Sequence, residues 1–465
     1  MKRRSLFLLA AALLGNACCC PAAAPPAAAA MAPAAQGFDD ITLAQALALA
    51  SQANHDGRLA LAMVQNAQAA ILVANNAPNP TLTLQTFNIN PSQGIGSGGL
   101  RRKTVDSTVR LDQLFERGDK RGLRTRNAEQ LEQAARADLA DSARQLALAV
   151  TQSYYNLLAA QEKLRLFDDT TRLFDNALAA AGKRKDAGDI AGADVARIEV
   201  DLFRARNDGS AAVTELRRAR LALGLLLGRS GPALLAGATP VPGDGSAAGT
   251  GWQSTGAMPQ AAPLRAVDHW PQAGMEPSEN TSDQALTQAV AARADVRAAR
   301  ARLDAAMTAQ RQAVALRTRD ISVGVQAEHW PQNGGNSYGV AVQIPLFVRN
   351  EYNGEIRSAT IAVQSAQTTL EKTSAAAQGD VWRAREELRS AAERVQRFEG
   401  ELLEASGKSA QAAEFAFRKG AIGVMDVLDA RRVQRATQLE AIAAQADHAK
   451  ALAAWHTAIA TESQP

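Results

Sequence analysis

The segment QIPLFVRNEYNGEIRSATIAVQ, residues 343–364, begins as an alternating, strand-like run and ends as a helix, and residues 112–130, DQLFERGDKRGLRTRNAEQ, make the same transition. Leu114, Phe115, Arg117 and Gly122 align with Leu346, Phe347, Arg349 and Gly354 at an offset of 232. At that offset KDAGDIAGADVARIEV (185–200) falls on FRKGAIGVMDVLDARR (417–432), pairing Gly188, Ile190, Asp194 and Val195 with Gly420, Ile422, Asp426 and Val427. A spacing kept this long indicates duplication of a whole structural unit, because chance helical similarity would drift.

Each unit has the same order of parts. An amphipathic segment (about 41–75 and 283–316) leads into two alternating runs, then into a very long helical stretch. The runs are 80–90 with 103–115, and 320–330 with 336–347; period-2 sets such as Val323, Val325, Ala327 and Val340, Val342, Ile344 mark strands. Segments of about ten residues suit either tilted transmembrane strands or two soluble hairpins. In the helical stretches apolar or small residues step by four and three: Val150, Ser153, Leu157, Ala160 in the first, and Val381, Ala384, Leu388, Ala391, Val395, Phe398, Leu402, Ala405 in the second. Such heptads mean coiled-coil packing, and about sixty residues before the turn at Gly188 give rods of roughly 90 Å.

These parts divide the chain into four: a processing region (1–36), a first unit (37–230, strand pair 80–115, helical tip near 188), a Gly/Pro-rich connector (231–280), and a second unit (281–465, strand pair 320–347, tip near 420). The basic start and apolar stretch of MKRRSLFLLAAALLGNACCC are an export signal, too short for a stable bilayer span. Cleavage after an A-x-A run is favoured over lipidation, for which Cys18 is the candidate. All three cysteines lie there, so cleavage would leave no thiol for disulfides or metal sites. No later segment has eighteen apolar residues in a row, so a membrane-embedded form must be a β-barrel.

The net charge of +4 comes from 51 basic and 47 acidic residues spread along all 465 positions, which argues against a nucleic-acid partner. No G-x-S-x-G, P-loop or dinucleotide turn is present, so neither an enzyme nor a cofactor is expected. His55, His269, His329, His448 and His456 are scattered without metal-ligand spacing. His329 beside Trp330 fits a rim loop, and His448 and His456 fit helix surface.

Four strands cannot close a barrel, since small barrels need about eight. Three copies would supply twelve, and the same symmetry would close the helices into a cylinder. With its duplicated unit, its LFERGDKRG and IPLFVRNEYNGEI junctions and its GAIGVMDVLDARR turn, the chain resembles outer-membrane efflux proteins of the TolC family, closest to the heavy-metal branch of CzcC, CnrC and CusC type. The resemblance covers essentially the whole mature chain. It implies an α+β, mainly α, homotrimer in the outer membrane, with a twelve-stranded β-barrel above a long periplasmic coiled-coil cylinder. It also implies a periplasmic adaptor and an inner-membrane RND pump as partners.

By the same resemblance, Gly188, Gly420, Ile190 and Ile422 lie at tips that dock the adaptor. Asp426 and Asp429, spaced i, i+3 on one helix face, take the family's selectivity-ring positions, and Asp194 that of an acidic gate latch. Without the resemblance, the aspartates read equally well as first-turn carboxylates complementing a helix N-terminus. Phe417 stands where the family has a latch tyrosine and Ile422 where it has a latch arginine, so closure is expected to rest on apolar packing. The cargo expected is divalent heavy-metal cations; ducts for organic drugs or type I secreted proteins, and a non-pore coiled-coil scaffold, are the competing readings.

Overall fold

The computed structural model describes residues 40–89, 92, 105–188, 190–229, 264–273, 283–330 and 335–459. The export signal with Cys18, the loops inside the two strand pairs and most of the connector lie outside the described residues. In chain order the elements are β1 (Asp40–Ile41), α1 (Leu43–Ala53), α2 (His55–Asn75), β2 (Thr81–Phe87), β3 (Asp106–Phe115), α3 (Lys120–Asp186) and α4 (Gly192–Leu226). There follow β4 (Arg265–Ala266), α5 (Asp283–Ala292), α6 (Ala294–Ala315), β5 (Ile321–Trp330), β6 (Gly335–Gln343), α7 (Asn353–Arg397), a π-helical turn (Phe398–Leu402), α8 (Leu403–Arg418) and α9 (Val424–Ala458). The same order of parts thus occurs twice.

Each expected amphipathic segment is two helices. In the first the break falls at Asn54, whose Oδ1 accepts the N–H of Asp56 (2.8 Å) and Gly57 (3.3 Å) and so starts α2. In the second it falls at Arg293, 2% exposed, whose guanidinium reaches Asp295 (2.7 Å) and Asp380 (3.4 Å).

The strands form one antiparallel sheet in the order β2-β3-β5-β6. Its register separates two faces. Leu82, Leu111, Val325 and Val340 lie in one cross-strand row, and Leu84, Val109, Ala327 and Tyr338 in the next. The opposite face carries Thr83, Arg110, Gln326 and Gly339, then Gln85, Thr108, Glu328 and Ser337. There Arg110 bonds Asp112 (2.7 Å) and Gln326 bonds Glu328 (3.1 Å). Leu82, Leu84, Val109, Leu111, Val325, Tyr338 and Val340 are all exposed, so the apolar face has no cover among the described residues. β6 ends at Gln343, short of the expected Phe347, because Pro345 lacks the N–H a continuing ladder needs.

Below the sheet the helices stand side by side in one layer. Contacts run α2-α3-α6-α7 in the half nearer the sheet and α4-α3-α9-α8 in the far half, so the strand order continues down the molecule. A wall one helix thick cannot enclose a large core. Its seams are accordingly rich in small residues: Ala377, Val381, Ala384, Leu388 and Ala391 of α7 meet Ala451, Trp455 and Ala458 of α9. α2, at one edge, has the length and composition of a membrane span, yet packs along α3 with Leu59, Leu61, Met63, Leu72 and Val73 exposed.

At mid-height β1 and β4 pair in parallel, and α3 holds them through buried polar groups. The Tyr154 hydroxyl donates to Ile41 O (3.0 Å) and accepts from the N–H of Val267 (3.2 Å) and Asp268 (3.1 Å). Gln161 exchanges two hydrogen bonds with Ala266, and Trp270 donates to Glu162 (2.9 Å) while stacking on Tyr155. Burial pushes the Tyr154 hydroxyl and the Glu162 carboxyl above their ordinary pKa values.

Three sequence expectations need correcting. The heptad of the second arm holds through Val395, but Leu402 is 47% exposed and Ala405 is exposed, while Ser406 and Ala410 are buried. The π-turn is the reason, because its wider turn advances the buried stripe by one residue. The offset between units is not constant either: tips Gly188 and Gly420 are 232 apart, but α3 and α7 start 233 apart, each after a left-handed residue, Asp119 (φ 56°) and Tyr352 (φ 59°). Third, His448 is buried at 2% exposure, where α9 lies between α3 and α7, whereas His456 is exposed as expected.

Candidate functional site

Both arms reverse at the end far from the sheet through a glycine with positive φ, +83° at Gly188 and +76° at Gly420. Each glycine N–H bonds the carbonyl three residues back, of Lys185 or Phe417, at 2.9 Å. Nothing lies within 4 Å of where a Cβ would stand at either. The requirement for glycine is therefore one of backbone conformation rather than space.

The two tips pack against each other. Ile190, Val195, Ile198 and Leu202 of the first meet Val424, Met425 and Leu428 of the second in one apolar cluster that also holds Phe174. The Arg184 guanidinium, near the end of α3, lies 5.5 Å from the centre of the Phe417 ring. Ile190 thus joins the seam between tips, and Ile422 is half-buried in the second turn.

Asp194 and Asp426 occupy the third helical position of α4 and α9. Asp194 is half-buried and lies 3.6 Å from Arg197. Asp426 is exposed and accepts the Gly423 N–H (3.1 Å), closing the first turn of α9. Asp429 is exposed one turn further on, but is bound to Arg432 at 2.5 Å. The two aspartates share a helix face, as their spacing requires, yet differ in charge balance. Among the described residues Asp426 meets only a backbone dipole, whereas Asp429 is offset by a guanidinium.

That guanidinium has a second partner that sequence reasoning missed. Arg432 also pairs with Asp201 of α4, whose carboxylate is buried and has Arg204 3.8 Å away. Arg431 pairs with Glu414 of α8, and Arg435 lies 3.6 Å from Asp208 of α4. A ladder of arginines on α9 therefore ties it to α8 through Glu414 and to α4 through Asp201 and Asp208. The doubled arginine of DARRVQR was visible, but only the folded wall brings the carboxylates of α4 within reach of α9. The cleft these side chains line between α3 and α9, about 200 Å³, is bounded by Arg431, Arg432 and Arg435 and so is unsuited to holding a cation.

Comparison with known proteins agrees with this architecture. The family model described as outer membrane efflux protein matches residues 46–229 and 285–461. The cobalt-zinc-cadmium resistance protein CzcC of Cupriavidus metallidurans is 26% identical over 399 residues, covering 84% of this chain and 83% of the relative. Among solved structures, CusC superposes with a TM-score of 0.71 at 19% identity, covering 91% of this chain and 93% of its own. The outer-membrane channel OprN does so at 0.69 with 20% identity, covering 91% of each chain. With its match spread over both halves, the chain belongs to the outer membrane efflux protein family and is a protein of the outer membrane.

Proposed function

We propose that this chain is one third of a passive exit duct for divalent heavy-metal cations, formed by three copies and completed by a periplasmic adaptor and an inner-membrane RND pump. The observation that carries the reading is the sheet. It has one apolar face, one polar face and two open edges, and its strands alternate in direction. β6 of one copy can therefore meet β2 of the next in the antiparallel sense that continues the pattern, and closure removes every free edge. Three copies satisfy the minimum barrel size with the apolar rows toward lipid and the Arg110, Gln326 and Glu328 rows toward a wet lumen. The exposed apolar side chains of α2, at the matching edge of the helical wall, support the same closure.

Metal cargo is inferred from the likeness to CzcC and from the tip carboxylates. On a threefold axis Asp426 would form a ring whose field favours multivalent cations, with Asp429 weaker because Arg432 offsets it. Docking of the adaptor is assigned to the turns at Gly188 and Gly420. Two experiments test the proposal. A deletion strain should become sensitive to cobalt, nickel, zinc or cadmium; sensitivity confined to dyes and antibiotics would make the duct one for organic compounds. In single-channel recordings, Asp426→Ala should weaken block by multivalent cations more than Asp429→Ala, and unchanged block in both would reduce the aspartates to first-turn carboxylates.

A further inference from the structure

The strand-to-helix junction is rich in basic residues. Arg117, Lys120, Arg121, Arg124 and Arg126 fall within the first turns of α3 or just before them, and Arg317, Arg319, Arg349 and Arg357 gather from the other strand ends. No acidic residue lies in the first turn of α3, although a helix N-terminus disfavours cations. Several of these groups have structural work. Lys120 bonds Asp320 and Thr318 O, Arg124 bonds Glu116 and Ala74 O, Arg126 pairs with Asp119, Arg121 bonds Asn75, and Arg317 reaches Asn353.

Arg117, Arg319 and Arg349 are different. All three are exposed and form no ion pair among the described residues. Arg117 and Arg349 are equivalent positions of the duplicated L-F-x-R motif, and the Arg319 guanidinium lies 5.4 Å from the Phe347 ring centre. Phe115, Leu346 and Val348 beside them in the sequence are exposed at 53%, 72% and 82%; Phe115 ends β3 on the apolar face, opposite Ile321, and Leu346 and Val348 follow the end of β6. An apolar step with unpaired guanidiniums at its lower rim matches the boundary where acyl chains give way to phosphates. Free phosphate would account for the arginines and leave Leu346 and Val348 facing water.

We propose that the two L-F-x-R junctions, with Arg319, form a collar that grips the phosphates of anionic phospholipids in the leaflet bordering the helical half. The proposal rests on the reading of the sheet as part of a membrane barrel. The test uses the full-length protein purified in mild detergent and challenged with phosphatidylglycerol or phosphatidylethanolamine, with retained lipid counted by native mass spectrometry. Wild type should retain phosphatidylglycerol preferentially, and equal excess of inorganic phosphate should not displace it. R117Q/R319Q/R349Q should lose the preference by at least about tenfold, and R117K/R319K/R349K should keep most of it.

Equal retention of both lipids by wild type, displacement by inorganic phosphate, or a glutamine variant with its preference intact would each overturn the collar. A glutamine variant that loses the oligomer while keeping the preference would instead assign these arginines to contacts between copies. Failure of the duct itself reads differently: wild type would then neither insert into vesicles nor pass current, whatever lipid it carries.

Discussion

The two long arms are built to one plan but are not mechanically alike. α3 runs 67 residues without a break and is bolted at mid-height to β1 and β4 by Tyr154 and Gln161, and to Trp270 just after β4 by Glu162. The second arm has no such bolt among the described residues. At the 232-residue offset of the tips Tyr154 falls on Glu386, which is exposed, and the arm is held by Val381, Ala384, Leu388 and Ala391 before the π-turn displaces its register. Directional hydrogen bonds fix one register, whereas small apolar side chains accept more than one. A wall with two arms of the same order can in this way keep one as a frame and leave the other adjustable.

Four measurements would break or sharpen that contrast. The largest effect is expected where the arms are joined: Arg432→Ala leaves the Asp201 carboxylate buried without its main partner, and should lower stability by about 3 kcal/mol in thermal unfolding of the detergent-solubilised protein. Asp429→Ala removes only the exposed end of the same network and should cost below about 1 kcal/mol. Equal losses would mean that Asp201 is not the anchor.

Tyr154→Phe should cost about 2 kcal/mol by stranding the N–H groups of Val267 and Asp268. Glu386→Gln should stay within about 0.5 kcal/mol. A comparable loss in both would erase the distinction between bolted and unbolted arms. At the tips the units should behave alike: Gly188→Ala and Gly420→Ala each force alanine into a left-handed conformation without a clash, for about 1 kcal/mol apiece. Unequal costs would show that one tip relaxes. The subtlest difference is kinetic, with amide hydrogen exchange expected to be faster at 398–402 than at the α3 positions 232 residues earlier, Leu166 to Thr170. Matching protection would indicate that the π-turn is as firm as an ordinary turn.

What could be read in advance follows from how far apart the interacting residues lie. The strands announced themselves by alternation, the glycine tips by Gly188 and Gly420, and the seam by Val150, Leu157, Val381 and Leu388, because each signal is local. The π-turn left no local trace, since FEGEL at 398–402 continues an acceptable heptad with Phe398 and Leu402. The burial of His448 was hidden by the polar neighbours Asp447 and Lys450, which turn to other sides of α9. At the tip, the positions of Asp194, Asp426 and Asp429 could be placed from spacing alone. The counter-charge on Asp429 could not, because Asp201 and Arg432 are 231 residues apart and meet only when the two units are laid edge to edge.

The sheet that ends at β2 on one side and β6 on the other has a consequence for biogenesis. A newly exported chain whose helices have formed still offers an adhesive border on each flank, and such borders recruit whatever extended peptide is nearest. If other copies close the sheet as proposed, correct partners must arrive before wrong ones do, so the yield of usable protein should depend on how fast copies are delivered relative to one another, and overproduction should favour deposits over membrane insertion.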